Sequence, residues 1–229
     1  MTNETSTDPK TFPLWSKQDT WLLLLNAALV AVAFLLFNHR LPDTVSAHFN
    51  RFGEQDRTMS KGTFWVFYSV LNIALPAAMT FTRRLDPRRE HYEKFRGYFV
   101  LIRWALSLFL QLMFWMIILY DLGYSVSISK FILGAMGVLW VVLGNRMGQV
   151  KSNYFIGIRN PWTLSDDEIW RQTHRLGGKL WFVTGILMFA LVWFVPSGWA
   201  VFVLLAGAAV SGLIPYGYSY LLYARKKGA

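Results

Sequence analysis

Histidine and carboxylate side chains that could bind a metal or transfer protons gather in two polar segments of the chain. The outer segment, residues 38–61, holds His39, Asp43, His48, Glu54 and Asp56. Imidazole and carboxylate are suitable zinc ligands, but this spacing matches no dense ligand motif and favours structural hydrogen bonding. In the inner segment, residues 145–178, His174 could act as a base that Asp166 or Asp167 orients. No nucleophile paired with it is evident.

Established catalytic motifs are absent from both segments. The sequence contains no His-Glu-x-x-His, no Gly-x-Ser-x-Gly and no phosphate-binding glycine loop. It also contains no cysteine, which excludes a disulfide framework, an iron–sulfur centre, a thiolate zinc site and a cysteine nucleophile. We therefore expect no catalytic residue, no metal and no cofactor.

Long apolar runs separate and position these segments. Apolar residues make up 54% of the 229 residues and charged residues 16%, whereas a soluble domain carries about 25% charged residues. Six runs are long enough to cross a hydrocarbon layer about 30 Å thick as helices. They lie near 20–37, 62–82, 98–120, 130–147, 179–195 and 198–222. The runs exclude an ordinary soluble enzyme and predict an all-α integral membrane protein, a compact bundle of six transmembrane helices.

This plan divides the chain into three parts. A polar cytoplasmic tail covers residues 1–19, the first two spans with the long outer segment cover 20–97, and a four-span region covers 98–229. With the N-terminus inside, the Lys and Arg residues outside the cell are Arg40, Arg51, Arg57, Lys61 and Lys130, and the rest of the 23 are cytoplasmic. This bias predicts that both termini are cytoplasmic. The net charge of +10 is then explained by topology and attraction to anionic lipids, in preference to direct nucleic-acid binding.

Few polar side chains interrupt the spans. Asn26, Asn72 and Gln111 are expected to bridge helices, and Arg103 to extend towards the inner membrane surface. No acidic residue lies near the middle of a span, which disfavours transport by an acidic relay. A small-residue stripe predicts close helix contact at Gly207, Ala208, Ser211 and Gly212. Candidate hinges are Pro76, Gly144 and Gly148.

The two polar segments carry signals of ordered structure. In the outer one, Val45, Ala47 and Phe49 alternate with polar residues, which predicts a short extended stretch, and residues 50–53 predict a turn. In the inner one, Ser165 and Glu168 form a capping box and Gly177-Gly178 can end a helix. The pattern predicts a short amphipathic helix at the membrane surface before the fifth span. It is either an elbow that returns the chain to the bilayer or a docking surface for a cytosolic partner.

Both segments resemble the SdpI family of bacterial immunity membrane proteins. Its signature is similar to the run from Lys151 to Ser165, followed by Trp170-x-x-Thr173-His174-Arg175-x-x-Gly178-Lys179. A domain of unknown function that often precedes this signature is similar to Leu41-Pro42, His48-Phe49-Asn50, Gly53, Asp56 and Lys61. Ser46 and Ser152 stand where we expect proline, and each is expected to loosen a local turn.

The resemblance implies a protein of the bacterial cytoplasmic membrane that protects a toxin-producing cell against its own secreted antibacterial peptide. It also implies signalling, in which a cytosolic DNA-binding repressor is held at the membrane once toxin is sensed. The residues then expected to face toxin are Pro42, His48, Phe49, Asn50, Gly53, Asp56 and Lys61. The residues expected to face the repressor are Asn145, Lys151, Asn153, Tyr154, Gly157, Arg159, Pro161, Trp162, Thr163, Trp170, Thr173 and His174.

Other functions are compatible with the same residues. One is a membrane transporter or lipid-handling component, and another is a membrane hydrolase whose site lies in the inner segment. A third is a sensor without an immunity function.

Overall fold

The computed structural model describes residues 15–228, which are mostly helical. In chain order the elements are α1 (Lys17–Phe37), β1 (Thr44–Phe49), β2 (Gln55–Ser60), α2 (Lys61–Ser69), a π-helical segment (Val70–Ala74), α3 (Leu75–Leu85), a 3-10 helix (Arg89–Phe95), α4 (Arg96–Asp121), α5 (Ile128–Met147), α6 (Pro161–Ser165), α7 (Asp167–Leu191) and α8 (Ser197–Gly228). We call residues 44–60 the outer hairpin and residues 148–166 the connecting loop.

Within residues 15–228, five helical stretches are long and apolar enough to cross a membrane. They are Lys17–Phe37, Lys61–Leu85, Arg89–Asp121, Ile128–Met147 and Ser197–Gly228. This finding supports the predicted all-α membrane protein, with the outer hairpin as a small β addition. The predicted fifth span, 179–195, falls largely in α7, which is not one of the five and whose first half is charged. Six spans and cytoplasmic termini therefore stay predictions.

Two predicted boundaries differ from the structure. Most of the predicted tail, residues 1–14, lies outside the described residues, but α1 begins at Lys17 and includes the buried Asp19. The prediction of a separate short helix before the fifth span is wrong, because α7 runs without a break through Gly177 and Gly178. Its N-cap is Asp166 and not Ser165, since the Asp166 carboxylate accepts the Glu168 and Ile169 N–H groups at 2.9 and 3.0 Å.

Glycines bring α5 and α7 into backbone contact. A Cβ on Gly144 would lie 2.6 Å from the Phe182 nitrogen, and a Cβ on Gly185 would lie 2.6 Å from the Gly137 oxygen. Both distances are shorter than real Cβ atoms tolerate, so these positions require glycine. Gly178 faces Gly144 in the same way, which explains why it continues the helix instead of ending it. Gly144, a predicted hinge, is thus a tight packing position.

Polar side chains join the first three spans. Gln111 on α4 donates through Nε2 to Asn26 Oδ1 on α1 at 3.0 Å, and Tyr68 on α2 donates to Gln111 Oε1 at 2.6 Å. These bonds confirm the predicted bridging role of Asn26 and Gln111. Asn72 instead donates to the Tyr68 carbonyl of its own span at 3.1 Å.

Arg103 does not extend to the membrane surface as expected. Its side chain is 2% exposed and forms an ion pair with the equally buried Asp19, so it ties α4 to the start of α1. Near the other end of the chain, α8 packs through the buried Gly207 and Ser211, whereas Ala208 and Gly212 are exposed. Only the first two therefore serve the close helix contact predicted for the stripe.

Candidate functional site

The outer hairpin is an ordered structure with a defined turn. β1 and β2 pair antiparallel, which confirms the predicted extended stretch. Asn50 Oδ1 accepts the N–H groups of Phe52 and Glu54 at 2.9 and 3.1 Å, which closes the predicted turn. Gly53 follows with φ of +84°, a conformation that other residues rarely adopt, and a Cβ there would lie 2.9 Å from Ser129 Oγ on α5.

The hairpin lies across the ends of three helices. Ser46 bonds Asp121 at the end of α4 twice, through its N–H at 3.0 Å and its hydroxyl at 2.6 Å. Phe49 packs edge-on against Tyr120, with ring centroids 5.0 Å apart. At the tip, the Phe52 ring covers Gly198 at the start of α8. Ser46 therefore anchors the hairpin through an N–H that proline lacks, and does not loosen it.

The seven residues expected to face toxin fall into two groups. Pro42, His48 and Asp56 are exposed, and His48 Nδ1 lies 2.6 Å from Asp56 Oδ1 on the hairpin surface. Phe49, Asn50, Gly53 and Lys61 are partly buried and shape the hairpin; Lys61 donates to the Leu41 carbonyl at 3.1 Å. Among residues 15–228, no three His, Asp or Glu side chains gather as a metal-binding group.

At the opposite end of the bundle, the buried Asn153 fixes the connecting loop. Its Oδ1 accepts the N–H groups of Phe155 and Ile156 at 2.9 and 2.7 Å, and its Nδ2 donates to the carbonyls of Lys151 and Ile156 at 2.9 and 3.1 Å. One amide side chain thus satisfies four backbone groups of a loop without regular structure. It determines the shape of the loop rather than its surface chemistry.

His174, on α7, also fixes the connecting loop. Its Nδ1 donates to the Trp170 carbonyl at 2.8 Å and its Nε2 accepts the Ile158 N–H at 2.9 Å, so both ring nitrogens are used. The ring is fully buried and stacks on Trp170. Burial lowers the pKa of His174 to about 4, so the ring is neutral at pH 7. Gly157, with φ of +105°, passes so close that a Cβ would overlap Nε2.

The short segment between α3 and α4 fixes the connecting loop by hydrogen bonds. Asp86 Oδ2 accepts the Tyr154 N–H and the Tyr92 hydroxyl, both at 2.9 Å. Arg88 donates to the Leu164 carbonyl at 2.8 Å and also bonds the Ser152 hydroxyl. Asp86-Pro87 is recognisable as a turn signal, but the sequence does not predict its bonds to a loop more than sixty residues away. Ser152, like Ser46, makes a tertiary contact.

The end of α8 clamps the other side of the loop. Asn160 Nδ2 donates to Ser219 Oγ at 2.8 Å, and Asp166 forms an ion pair with Lys226. The Trp162 ring packs against Tyr216 and Tyr220, with centroids 5.4 and 5.0 Å away. Loop, α7 and α8 therefore form one structural unit.

Burial divides the twelve residues expected to face a partner. Asn153, Thr163, Trp170, Thr173 and His174 are buried, so they build the inside of the loop and a partner would not contact them. Trp162 is half-buried, and the exposed residues are Asn145, Lys151, Tyr154, Gly157, Arg159 and Pro161. The surface available to a partner is thus about half of the predicted set.

A cavity of about 450 Å³ adjoins this surface. It lies between the 3-10 helix and α7, and its lining includes His91, Lys94, Lys151 and Arg171, with Trp170 at its floor. The cations Lys94, Lys151 and Arg171 line it together with the anions Asp167 and Glu168, so the lining carries a small excess of positive charge. Such a recess suits an acidic group of a protein partner better than a cationic one.

Fold and site together define a multi-pass helical membrane protein with ordered structure at both ends of its bundle. Residues 149–219 match the model of the SdpI/YfhL protein family. Immunity protein SdpI of Bacillus subtilis (strain 168) is 29% identical over 112 residues, which cover 49% of this chain and 54% of that protein. The chain thus spans about half the length of the curated relative that it matches. No solved structure matches it. The two matches support membership of the SdpI family, as the signature residues predicted.

Proposed function

We propose that the protein confers immunity against a secreted antibacterial peptide toxin. The observation that carries the proposal is that the matched residues, 149–219, coincide with the unit formed by the connecting loop, α7 and most of α8. The relative that matches is named an immunity protein. The same unit contacts the outer hairpin through Gly198, so the two ends of the bundle are structurally connected.

The outer hairpin is the proposed toxin-facing surface. His48 and Asp56 form an exposed pair on it, and Arg51 and Arg57 add exposed cations nearby. A toxin that binds there would contact a hairpin that packs against α4, α5 and α8. It can transmit a signal only if it binds one arrangement of these helices more tightly than another.

The connecting loop is the proposed docking surface for a cytosolic repressor. Arg159 is held in place by its bond from Nη1 to the Tyr154 carbonyl at 2.6 Å, and Lys151 is exposed beside the basic cavity. Because Asn153 and His174 fix the loop in one shape, these side chains are preorganised for binding. We accordingly place six spans in the membrane, with the hairpin outside, both termini and the connecting loop inside, and the second half of α7 as the fifth span.

A hydrolase in the inner segment has less support. His174 was the candidate base, but both of its nitrogens are committed to the backbone and its pKa of about 4 makes it a poor proton acceptor at pH 7. No described contact joins it to Asp166 or Asp167. A non-enzymatic role fits this geometry better.

Survival of a toxin-sensitive bacterium tests the proposal. The cells would express the parent chain, His48→Ala, Lys151→Glu or the control Leu213→Ala, whose side chain is exposed on α8, at matched membrane levels. They would be challenged with the peptide toxins secreted by Bacillus subtilis. We expect the parent and the control to protect and His48→Ala to protect less.

Lys151→Glu separates immunity from signalling. If the inner surface only recruits a repressor, this variant should protect fully but fail to bring a fluorescently tagged candidate repressor to the membrane. Absence of protection by the parent chain at matched expression would contradict immunity to these toxins.

A further inference from the structure

A second basic groove lies between α7 and α8, and it shares Arg171 and Glu168 with the cavity described above. Its volume is about 440 Å³, and its lining includes Arg171, Arg175, Leu176, Lys179 and Tyr218. The three cations recur every four residues, so they follow one face of α7. Tyr218 closes the α8 side, where its hydroxyl donates to Gln172 Oε1 at 3.3 Å.

Two of these three cations are not neutralised. Arg171 makes a two-pronged ion pair with Glu168, with nitrogen–oxygen distances of 2.8 and 2.6 Å. Arg175 and Lys179 are exposed, and within residues 15–228 neither of them forms an ion pair. The Arg175 stem lies beside Gly148, where a Cβ would be 3.4 Å from the Arg175 Cγ. Glu168 also lines the groove but is paired with Arg171, so Arg175 and Lys179 leave an excess of positive charge that favours a ligand with a concentrated negative charge.

The position of the groove relative to the membrane indicates the source of that ligand. Lys179 begins the predicted fifth span, and Trp181, half a turn further on, already packs against the apolar part of α8 by donating to the Ser211 carbonyl at 3.2 Å. Tyrosines such as Tyr218 are frequent where a membrane meets water. In the proposed topology, the groove therefore opens at the height of the inner-leaflet headgroups, with Leu176 as an apolar wall.

We propose that this groove binds the phosphate of an anionic membrane lipid of the phosphatidylglycerol type. Arg175 and Lys179 hold the phosphate, Tyr218 lies beside the glycerol, and Leu176 contacts the start of an acyl chain. Basic recesses between spans on the cytoplasmic side are suited to such headgroups. The site does not require immunity, but it rests on the proposed topology, in which the second half of α7 is the fifth span and the connecting loop lies inside. Free inorganic phosphate has the same charge chemistry, but it would not use the apolar wall.

The test compares lipid binding by two double variants of equal charge. The full chain is purified in detergent, mixed with micelles that contain equal amounts of phosphatidylglycerol and phosphatidylcholine, and the lipid retained per protein is measured by mass spectrometry. The site variant is Arg175→Gln with Lys179→Gln. The control variant, Arg225→Gln with Lys227→Gln, removes two exposed cations at the end of α8 that lie outside the groove.

We expect the parent chain to retain phosphatidylglycerol in preference to phosphatidylcholine. Each lost contact should weaken binding roughly fivefold, so the site variant should bind phosphatidylglycerol roughly 25-fold more weakly. The control should change less than about twofold. Equal weakening in both variants would show diffuse attraction and overturn the site, as would no weakening in either. Displacement of the lipid by millimolar inorganic phosphate would overturn the lipid assignment. Matched unfolding temperatures without lipid confirm that both variants are folded.

Discussion

Protonation of His174 is expected to open the connecting loop. The folded state lowers the pKa of this group from its ordinary value of 6.5 to about 4, because the ring is buried. An opened loop restores the higher pKa and binds the proton more tightly. The stability supplied by the neutral ring is therefore complete above pH 6.5 and is lost as the pH falls towards 4.

The size of the effect follows from the two pKa values. Between pH 7 and pH 5 the free energy of local opening of the loop should fall by about 2 kcal/mol, which corresponds to a roughly twentyfold rise in the open population. Hydrogen exchange measured by mass spectrometry detects this as a roughly twentyfold loss of protection at the Ile158 amide, after correction for intrinsic exchange. Burial causes the lowering and the bond to the Trp170 carbonyl partly opposes it, so no charged neighbour complicates the sign of the shift.

A non-titrating variant provides the control. His174→Gln keeps a donor and an acceptor but has no charge to gain, so its loop should be less protected at pH 7 and show no further loss at pH 5. The reasoning would be refuted if protection of Ile158 in the parent were the same at both pH values, or if the variant lost as much as the parent.

Three substitutions test the packing and the anchors by thermal unfolding in detergent. Gly144→Ala should destabilise by about 1 to 3 kcal/mol because its Cβ meets the α7 backbone, whereas Gly212→Ala, with no atom within 4 Å, should be nearly neutral. Asn153→Ala should cost about 2 kcal/mol or more, since it leaves buried N–H groups of the connecting loop without acceptors. Ser46→Ala should cost about 1 to 2 kcal/mol by removing the hydroxyl bond to Asp121.

Equal stability of Gly144→Ala and Gly212→Ala would show that the close α5–α7 contact is not as described. An unchanged unfolding temperature for Asn153→Ala would mean that the loop holds its shape by other contacts. For Ser46→Ala, hydrogen exchange confined to β1 and β2 separates loss of the anchor from global destabilisation.

Much of the helical fold was predictable because the length of an apolar run is a strong local signal. Alternation at Val45 to Phe49 and the turn residues at 50–53 likewise predicted β1 and the turn, but not the second strand of the outer hairpin. Gly177 and Gly178 show the limit of prediction from local sequence. As isolated glycines they indicate a helix end, but Gly178 is required by contact with Gly144, and that contact is a tertiary property.

The candidate sites were predictable in composition but not in orientation. The signature residues mark the connecting loop, yet the sequence does not separate the inward Asn153 and His174 from the outward Lys151 and Arg159. The loop has no helical or strand periodicity, so the pattern of its residues does not predict which side chains are buried and which are exposed. The ion pair between Asp19 and Arg103 was missed because its two partners come from different helices.

The most direct test of this account is the side of the membrane on which each end of the bundle lies. The chain has no cysteine, so single cysteines can be placed at Arg57 in the outer hairpin and Arg159 in the connecting loop without further changes. A membrane-impermeant thiol reagent is then applied to intact cells and to permeabilised cells. We predict that Arg57→Cys is labelled in intact cells and that Arg159→Cys is labelled only after permeabilisation. Labelling of both from the same side, or the reverse pattern, would contradict a toxin-facing hairpin and a partner-facing loop separated by the membrane.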